Sequence, residues 1–247
     1  MPRPQFPVIL TDKKRLSHNT LELAFEFEGG APFDYIAGQF VQLLFQYQGK
    51  EHKRSYSVAC SPESFQDSRC LTIAIGFVEN GAASCFFRDA EPGIRLMLTG
   101  PFGVLVLPEE LPGQLILAGT GTGIAPYRAM IPKLTQLAGQ GQSISILVGA
   151  RTHNELIYHE DFRLLAEKCS TINYRICLSR VAPSSLQDSE FTGYVQQQFS
   201  SLSLQTDKDI VFLCGNPGMI DAAAAQLKEK GFSTKQVRRE KYVYSGH

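Results

Sequence analysis

Over its first 108 residues the chain alternates apolar and polar side chains in short bursts. Thr20–Phe27 reads TLELAFEF, with a period of two. Gln39–Phe45, Arg54–Val58, Leu71–Val78 and Arg95–Leu98 repeat the pattern between clusters of Gly, Pro, Asn and Asp. Successive side chains on a strand point to opposite faces, so each burst predicts a strand with one apolar face. Many short strands in succession predict an antiparallel barrel or sandwich. The exception is Ala83–Arg88 (ASCFFR), which predicts a short helix.

Beyond residue 108 the pattern changes. Apolar runs at Gln114–Ala118, Ser143–Gly149, Ile172–Leu178 and Ile210–Cys214 predict buried strands. Segments with helical spacing, Pro126–Leu137, His159–Lys168 and Met219–Lys230, are interleaved with them. Strands alternating with helices predict a parallel sheet covered on both faces. The expected architecture is therefore two domains, an N-terminal antiparallel β-barrel (1–108) and a C-terminal α/β domain with a parallel sheet (109–247). The boundary falls near Pro108-Glu109-Glu110-Leu111-Pro112-Gly113.

Composition narrows the function. The 247 residues suffice for a sizeable core. Lys plus Arg equals Asp plus Glu, 24 each, so no charge excess points to nucleic acid or to an acidic membrane surface. Prolines interrupt the start, MPRPQFPVIL, where a signal peptide has its apolar core, and no later run approaches the roughly 20 apolar residues of a membrane helix. A soluble, cytoplasmic protein is expected. Cys60, Cys70, Cys85, Cys169, Cys177 and Cys214 are scattered without a CxxC pair, which predicts reduced thiols and neither a zinc nor an iron–sulfur site. The histidines at 18, 52, 153, 159 and 247 show no triad or ligand spacing.

Chemistry concentrates in four stretches. In LILAGTGTGIAP (Leu115–Pro126) three glycines follow an apolar strand at every second position and lead into a helix. Ligands of open parallel sheets bind beyond the carboxyl ends of strands, and helix starts present unpaired N–H groups to phosphate. Glycines admit a pyrophosphate to the backbone, so a dinucleotide is the expected ligand. A turn used purely for tight strand–helix packing is the alternative. The next strand ends Val148-Gly149-Ala150-Arg151; an arginine there favours a 2′-phosphate where a carboxylate would bind a ribose hydroxyl. In Arg54-Ser55-Tyr56-Ser57, Arg54 and Tyr56 share one strand face, able to clamp a phosphate and stack on a flat ring, and Ser57 faces away. Gly81-Ala82-Ala83-Ser84 opens the predicted short helix as a second anion site or an ordinary cap. Cys214-Gly215-Asn216-Pro217-Gly218-Met219 again joins a strand to a helix, with Cys214 either functional or a small buried hydrophobe.

In this order and spacing RSYS, GAAS, GTGTGIAP and CGNPGM resemble the ferredoxin–NADP reductase family, and Gly38-Gln39-Phe40-Val41 and Gly100-Pro101-Phe102-Gly103 look like its barrel motifs. The resemblance covers nearly the whole chain. It implies an FAD-binding barrel followed by an NAD(P)-binding domain. It implies hydride transfer between NADP(H), with NAD(H) possible, and FAD, and single-electron exchange with ferredoxin or flavodoxin.

Residue by residue, the resemblance gives Arg54 the FAD pyrophosphate, Tyr56 one flavin face and Ser57 the flavin N5. Gly81, Ala82 and Ser84 wrap the FAD pyrophosphate. Gly121, Thr122 and Gly123 hold the nucleotide phosphates, and Cys214 lies where the nicotinamide C4 meets flavin N5. Glu240 and Tyr242 match a Glu-x-aromatic near the family's C-terminus, with Tyr242 covering the flavin. The residues beyond Tyr242, with Ser245-Gly246, look more like the reductase components of aromatic-ring oxygenases. Ser179-Arg180 matches the family's reader of the 2′-phosphate, Arg151 is expected as a second reader, and Tyr194 matches an aromatic that packs on adenine. No metal is implied. A transient carrier, no nucleic acid, no membrane and a monomeric chain complete the expectation. The alternatives are an NAD(P)H:flavin reductase and the separate reductase component of an oxygenase system.

Overall fold

A computed structural model describes residues 4–30 and 32–242. The chain divides into two compact units. Among the described residues the first comprises those up to Val106 together with Ala125–Met130; the second comprises Leu107–Ile124 and those from Ile131 onward.

The first unit is built on strands β1 (Gln5–Ser17), β2 (Thr20–Phe27), β3 (Phe40–Tyr47), β4 (Lys50–Ser57), β5 (Cys70–Gly76) and β6 (Arg95–Phe102), with helices α1 (Pro62–Ser68) and α2 (Ala82–Asp89). All pairings are antiparallel, in the order β4-β3-β6-β1-β2-β5. A bridge between Val58 and Ile73, and a hydrogen bond from the Ala59 amide to the Thr72 carbonyl (2.8 Å), bring the two edge strands together. The sheet thus curls into the expected barrel, with its two edges joined just beyond β4. Alternate residues fill the interior: Leu21, Leu23 and Phe25 from β2, Val41, Leu43 and Phe45 from β3, and Leu71, Ile73 and Ile75 from β5. The long β1 had no counterpart among the predicted strands. Its register slips between Leu10 and Asp12 and between Arg15 and Ser17, which spoils the period-two count.

The second unit holds β7 (Leu115–Thr120), β8 (Ile144–Ala150), β9 (Ile172–Leu178), β10 (Glu190–Thr192), β11 (Ile210–Gly215) and β12 (Val237–Lys241), all parallel, in the order β10-β9-β8-β7-β11-β12. Helices α4 (Ile131–Gly139), α5 (His159–Lys168) and α6 (Pro217–Glu229) belong to it. One sheet face buries Ile116, Ala118, Leu147, Cys177, Val211 and Leu213 against Ile220, Ala223 and Leu227 of α6. On the other face Phe162 of α5 stacks on Tyr174 of β9 at 6.0 Å. No helix among the described residues is long and apolar enough to cross a membrane.

The expected single helix Pro126–Leu137 is broken. A 3-10 turn at Gly121–Ile124 precedes α3 (Ala125–Ala129), a turn at Met130 follows, and α4 begins at Ile131. Pro132 explains the break, since it lacks the N–H that would bond the Arg128 carbonyl and its ring clashes with that group. Toward its end the chain is held in the sheet. There β12 pairs along β11 as far as Lys241. Ser245-Gly246 lie outside the described residues.

Candidate functional site

In the first unit the predicted residues come together on β4 and α2. Tyr56 is half-buried, and its ring stands edge-on to Phe87 of α2 (6.4 Å, 87°). This contact fixes the β4 surface against the helix. Burial pushes the Tyr56 phenol well above its ordinary pKa, against the opposing pull of the Arg54 charge, so it stays neutral. Arg54 is half-buried, two residues along on the same face, and donates to the Lys53 carbonyl (2.9 Å). Ser57 faces the opposite way and is buried. Gly81 is the N-cap of α2 and has no side chain to cap it, so the first-turn amides lack that partner. Ser84 is turned inward: its hydroxyl oxygen accepts the Val78 N–H at 2.8 Å and holds the loop that leads into Gly81.

In the second unit the strand order reverses between β7 and β11, the position where open α/β sheets form a ligand crevice. Both glycine-containing loops leave the sheet there, with Gly119 opposite Cys214. The three glycines divide the work. Gly119 lies in β7. Gly121 adopts φ +55° with open space where a side chain would stand. Gly123 is buried, and a Cβ there would collide with the Cys214 carbonyl. The packing alternative therefore describes Gly123, while Gly121 keeps the loop open above the sheet. The Thr120 hydroxyl accepts the Asn216 N–H (3.0 Å), and the Asn216 side chain caps α6 by accepting the Met219 N–H (3.2 Å). The two loops are thus locked into one surface.

Cys214 is fully buried and opposite Glu240 in the β11–β12 register. Burial, and then the Glu240 carboxylate, drive the thiol pKa well above its ordinary value; a hydrogen bond with the Tyr242 hydroxyl pulls weakly the other way. The sulfur is a neutral thiol across the working range. Tyr242 is tethered twice more, from its N–H to the Gly215 carbonyl (3.0 Å) and from its hydroxyl to the Thr122 carbonyl (3.4 Å). It lies over Cys214 and the glycine loop of its own unit.

A third cluster sits at the carboxyl ends of β8, β9 and β10. The Ser179 and Arg180 amides donate to the Ala150 (3.1 Å) and Arg151 (2.8 Å) carbonyls, and Gly193 N–H donates to Leu178 (3.0 Å). These bonds place Arg151, Ser179, Arg180 and Tyr194 around one corner. Arg180 is exposed, and the Tyr194 ring is 59% exposed, unusual for an aromatic of its size. Behind them His153 bonds both oxygens of Glu190 (2.9 and 3.0 Å).

Residues 7–106 match the family model of the oxidoreductase FAD-binding domain, and residues 117–225 that of the oxidoreductase NAD-binding domain. Ferredoxin–NADP reductase B of Sorangium cellulosum is 33% identical over 244 residues, covering 96% of this chain and 97% of the relative. The chain belongs to the ferredoxin–NADP reductase family. The toluate 1,2-dioxygenase electron transfer component of Pseudomonas putida is 26% identical over 97% of this chain and 68% of its own. A ferredoxin NADP+ reductase from Neisseria gonorrhoeae, solved with bound FAD and NADP, shares the fold with a TM-score of 0.79 at 20% identity, covering 98% and 99% of the two chains.

As a member of this reductase family the chain is an oxidoreductase whose first unit is an FAD-binding domain and whose second is an NAD(P)-binding domain. The residues fit both groups. A half-buried neutral ring, a guanidinium and uncapped helix amides form the donor set a flavin dinucleotide requires. The open Gly121 and the two arginines suit a phosphorylated nucleotide. Three residues escaped the sequence reading. Thr120 and Asn216 interlock the loops, and Asn-Pro before a helix was a legible cap signal. Glu155 is the third. It lies four residues after Arg151, the spacing of a helical ion pair, but on a 3-10 turn that the pattern did not predict.

Proposed function

We propose that this family member uses NADPH to reduce a ferredoxin or flavodoxin, or runs in the reverse direction, through tightly held FAD. The observation that carries this reading is the corner where Ser179-Arg180, Arg151 and the exposed Tyr194 ring meet. It offers bidentate guanidinium chemistry beside a flat aromatic face, the combination that recognises a 2′-phosphorylated adenosine.

FAD, when bound, supplies the exchange of a two-electron nicotinamide reaction for single-electron steps. This chain's own residues bind and orient. Arg54 and the amides of Gly81 and Ala82 hold the diphosphate, with Ser84 bracing the loop. Tyr56 offers a flat face to the flavin, and Ser57 a hydroxyl to its N5. Gly121, Thr122 and Gly123 shape the phosphate loop of the nicotinamide nucleotide. Cys214, neutral and small, leaves room for the nicotinamide without adding a charge. Glu240 sets the electrostatics behind the thiol. Tyr242 lies over Cys214 and the loop and must swing away to admit the ring. No side chain is asked to shuttle a proton.

The likeness to the toluate dioxygenase component supports a second carrier class, a ferredoxin that serves an oxygenase. The test is the visible spectrum of the purified protein before and after desalting, followed by anaerobic titration with NADPH and NADH. A flavin spectrum that survives desalting and bleaches at lower NADPH than NADH is expected. A colourless protein that oxidises NAD(P)H only with added flavin would make flavin a substrate and sink the carrier-reductase reading.

A further inference from the structure

Arg151 is not a bare cation. Its Nη2 donates to Glu155 Oε1 at 2.7 Å and its Nε to Glu155 Oε2 at 2.9 Å, a bidentate pair. Its backbone N–H also donates to Oε2 at 3.2 Å. The Glu155 side chain is 15% exposed, against 46% for Arg151, so the carboxylate lies beneath the guanidinium. One edge of the guanidinium fork is thus filled from within the chain, and the pair carries no net charge. Arg180, bonded through its amide to the Arg151 carbonyl, has no comparable carboxylate among the described residues.

We infer that Glu155 sets the nucleotide specificity of this corner by holding down the charge of Arg151, leaving Arg180 as the principal cation toward a 2′-phosphate. The inference rests on the 2′-phosphate reading proposed above. A phosphate dianion brought near the corner meets two positive charges and one negative. Near a surface each unit charge still acts over several ångströms, weakened by solvent and salt. The repulsion from Glu155 falls on a 2′-phosphorylated nucleotide and spares one with a free 2′-hydroxyl. Glu155 therefore narrows the gap between NADPH and NADH and permits use of both. The geometry also gives Glu155 a holding role, because it orients the guanidinium. Glu155→Gln separates the two effects, since its amide oxygen can still accept from Arg151 while the charge is gone.

The probes are adenosine 2′,5′-bisphosphate and 5′-AMP, titrated calorimetrically into the FAD-loaded protein, with thermal melts to confirm folding. In Glu155→Gln the bisphosphate should bind about five- to tenfold more tightly, with 5′-AMP unchanged, the scale of one removed surface charge. Arg151→Ala in the native background bares the Glu155 carboxylate and should weaken the bisphosphate about five- to tenfold with 5′-AMP unchanged, and in the Glu155→Gln background should abolish the gain. A bisphosphate affinity that is unchanged or weaker in Glu155→Gln, or a gain shared equally by 5′-AMP, overturns the inference. An Arg151→Ala variant that binds the bisphosphate as tightly as the native protein overturns it too. The underlying reading fails separately: wild-type protein would bind the bisphosphate no better than 5′-AMP, and Arg180→Ala would change neither.

Discussion

Cys214 shows how one side chain is set by its surroundings. An exposed cysteine is partly thiolate near neutral pH and reacts with electrophiles. Here burial comes first and the Glu240 carboxylate second, and both favour the neutral form. The direction of the shift has a consequence for pH: the thiol stays protonated well past its ordinary range, so no activity limb near pH 8–9 belongs to it. The role proposed for it is then spatial. In Cys214→Ala the rate of flavin reduction by NADPH, followed by stopped flow, should fall about tenfold, because small displacements of reacting atoms cost rate steeply. FAD retention on desalting should not change. An unaltered reduction rate would remove Cys214 from the chemistry. The sequence showed the residue type and its place at the end of a strand. The Tyr242 hydroxyl above it was hidden, because that contact depends on β12 pairing along β11.

Among elements, the two loops at the sheet's switch point explain what the sequence made legible. Apolar runs bounded by glycine and proline marked β7, β8, β9 and β11 to within about two residues. The strand order, which puts GTGTG beside CGNPG, followed from no local pattern. Nor did the division of the glycines, since φ and neighbours are tertiary facts. Pro132 was in plain view as a helix breaker, yet the apolar spacing on either side suggested continuity. The division of the glycines is testable. Gly123→Ala forces a Cβ into the Cys214 carbonyl and should cost about 2–3 kcal/mol of stability in a thermal or denaturant melt. Gly121→Ala meets open space, carries only the roughly 1–2 kcal/mol of a left-handed residue, and should weaken nucleotide binding more than it lowers stability. Equal stability losses with equal affinity losses would show that the two glycines do the same job.

For the whole molecule, the units do not follow the chain. Ala125–Met130 packs with the first unit although it lies inside the sequence of the second. Its hold is Arg128, whose Nη1 donates to the Ala59 carbonyl (3.1 Å) and pairs with Glu22 of β2 at 3.5 Å across 106 residues of sequence. No short-range pattern carries such a contact, which is why a single cut near residue 108 was the natural reading. Ala59 lies two residues beyond Ser57, and α3 begins four residues beyond Gly121, so Arg128 fastens α3 to the segment just after β4. Both side chains are largely buried, at 29% and 15% exposed, so removing the cation leaves a partly desolvated carboxylate behind. Arg128→Ala should therefore lower stability by about 2 kcal/mol, read as an earlier release of flavin fluorescence on heating. Adding Glu22→Gln should restore part of the loss, because the stranded charge is gone. If the double variant is as unstable as the sum of the single ones, the pair is not coupled, and the hold of Arg128 comes from its other contacts, the Ala59 carbonyl among them.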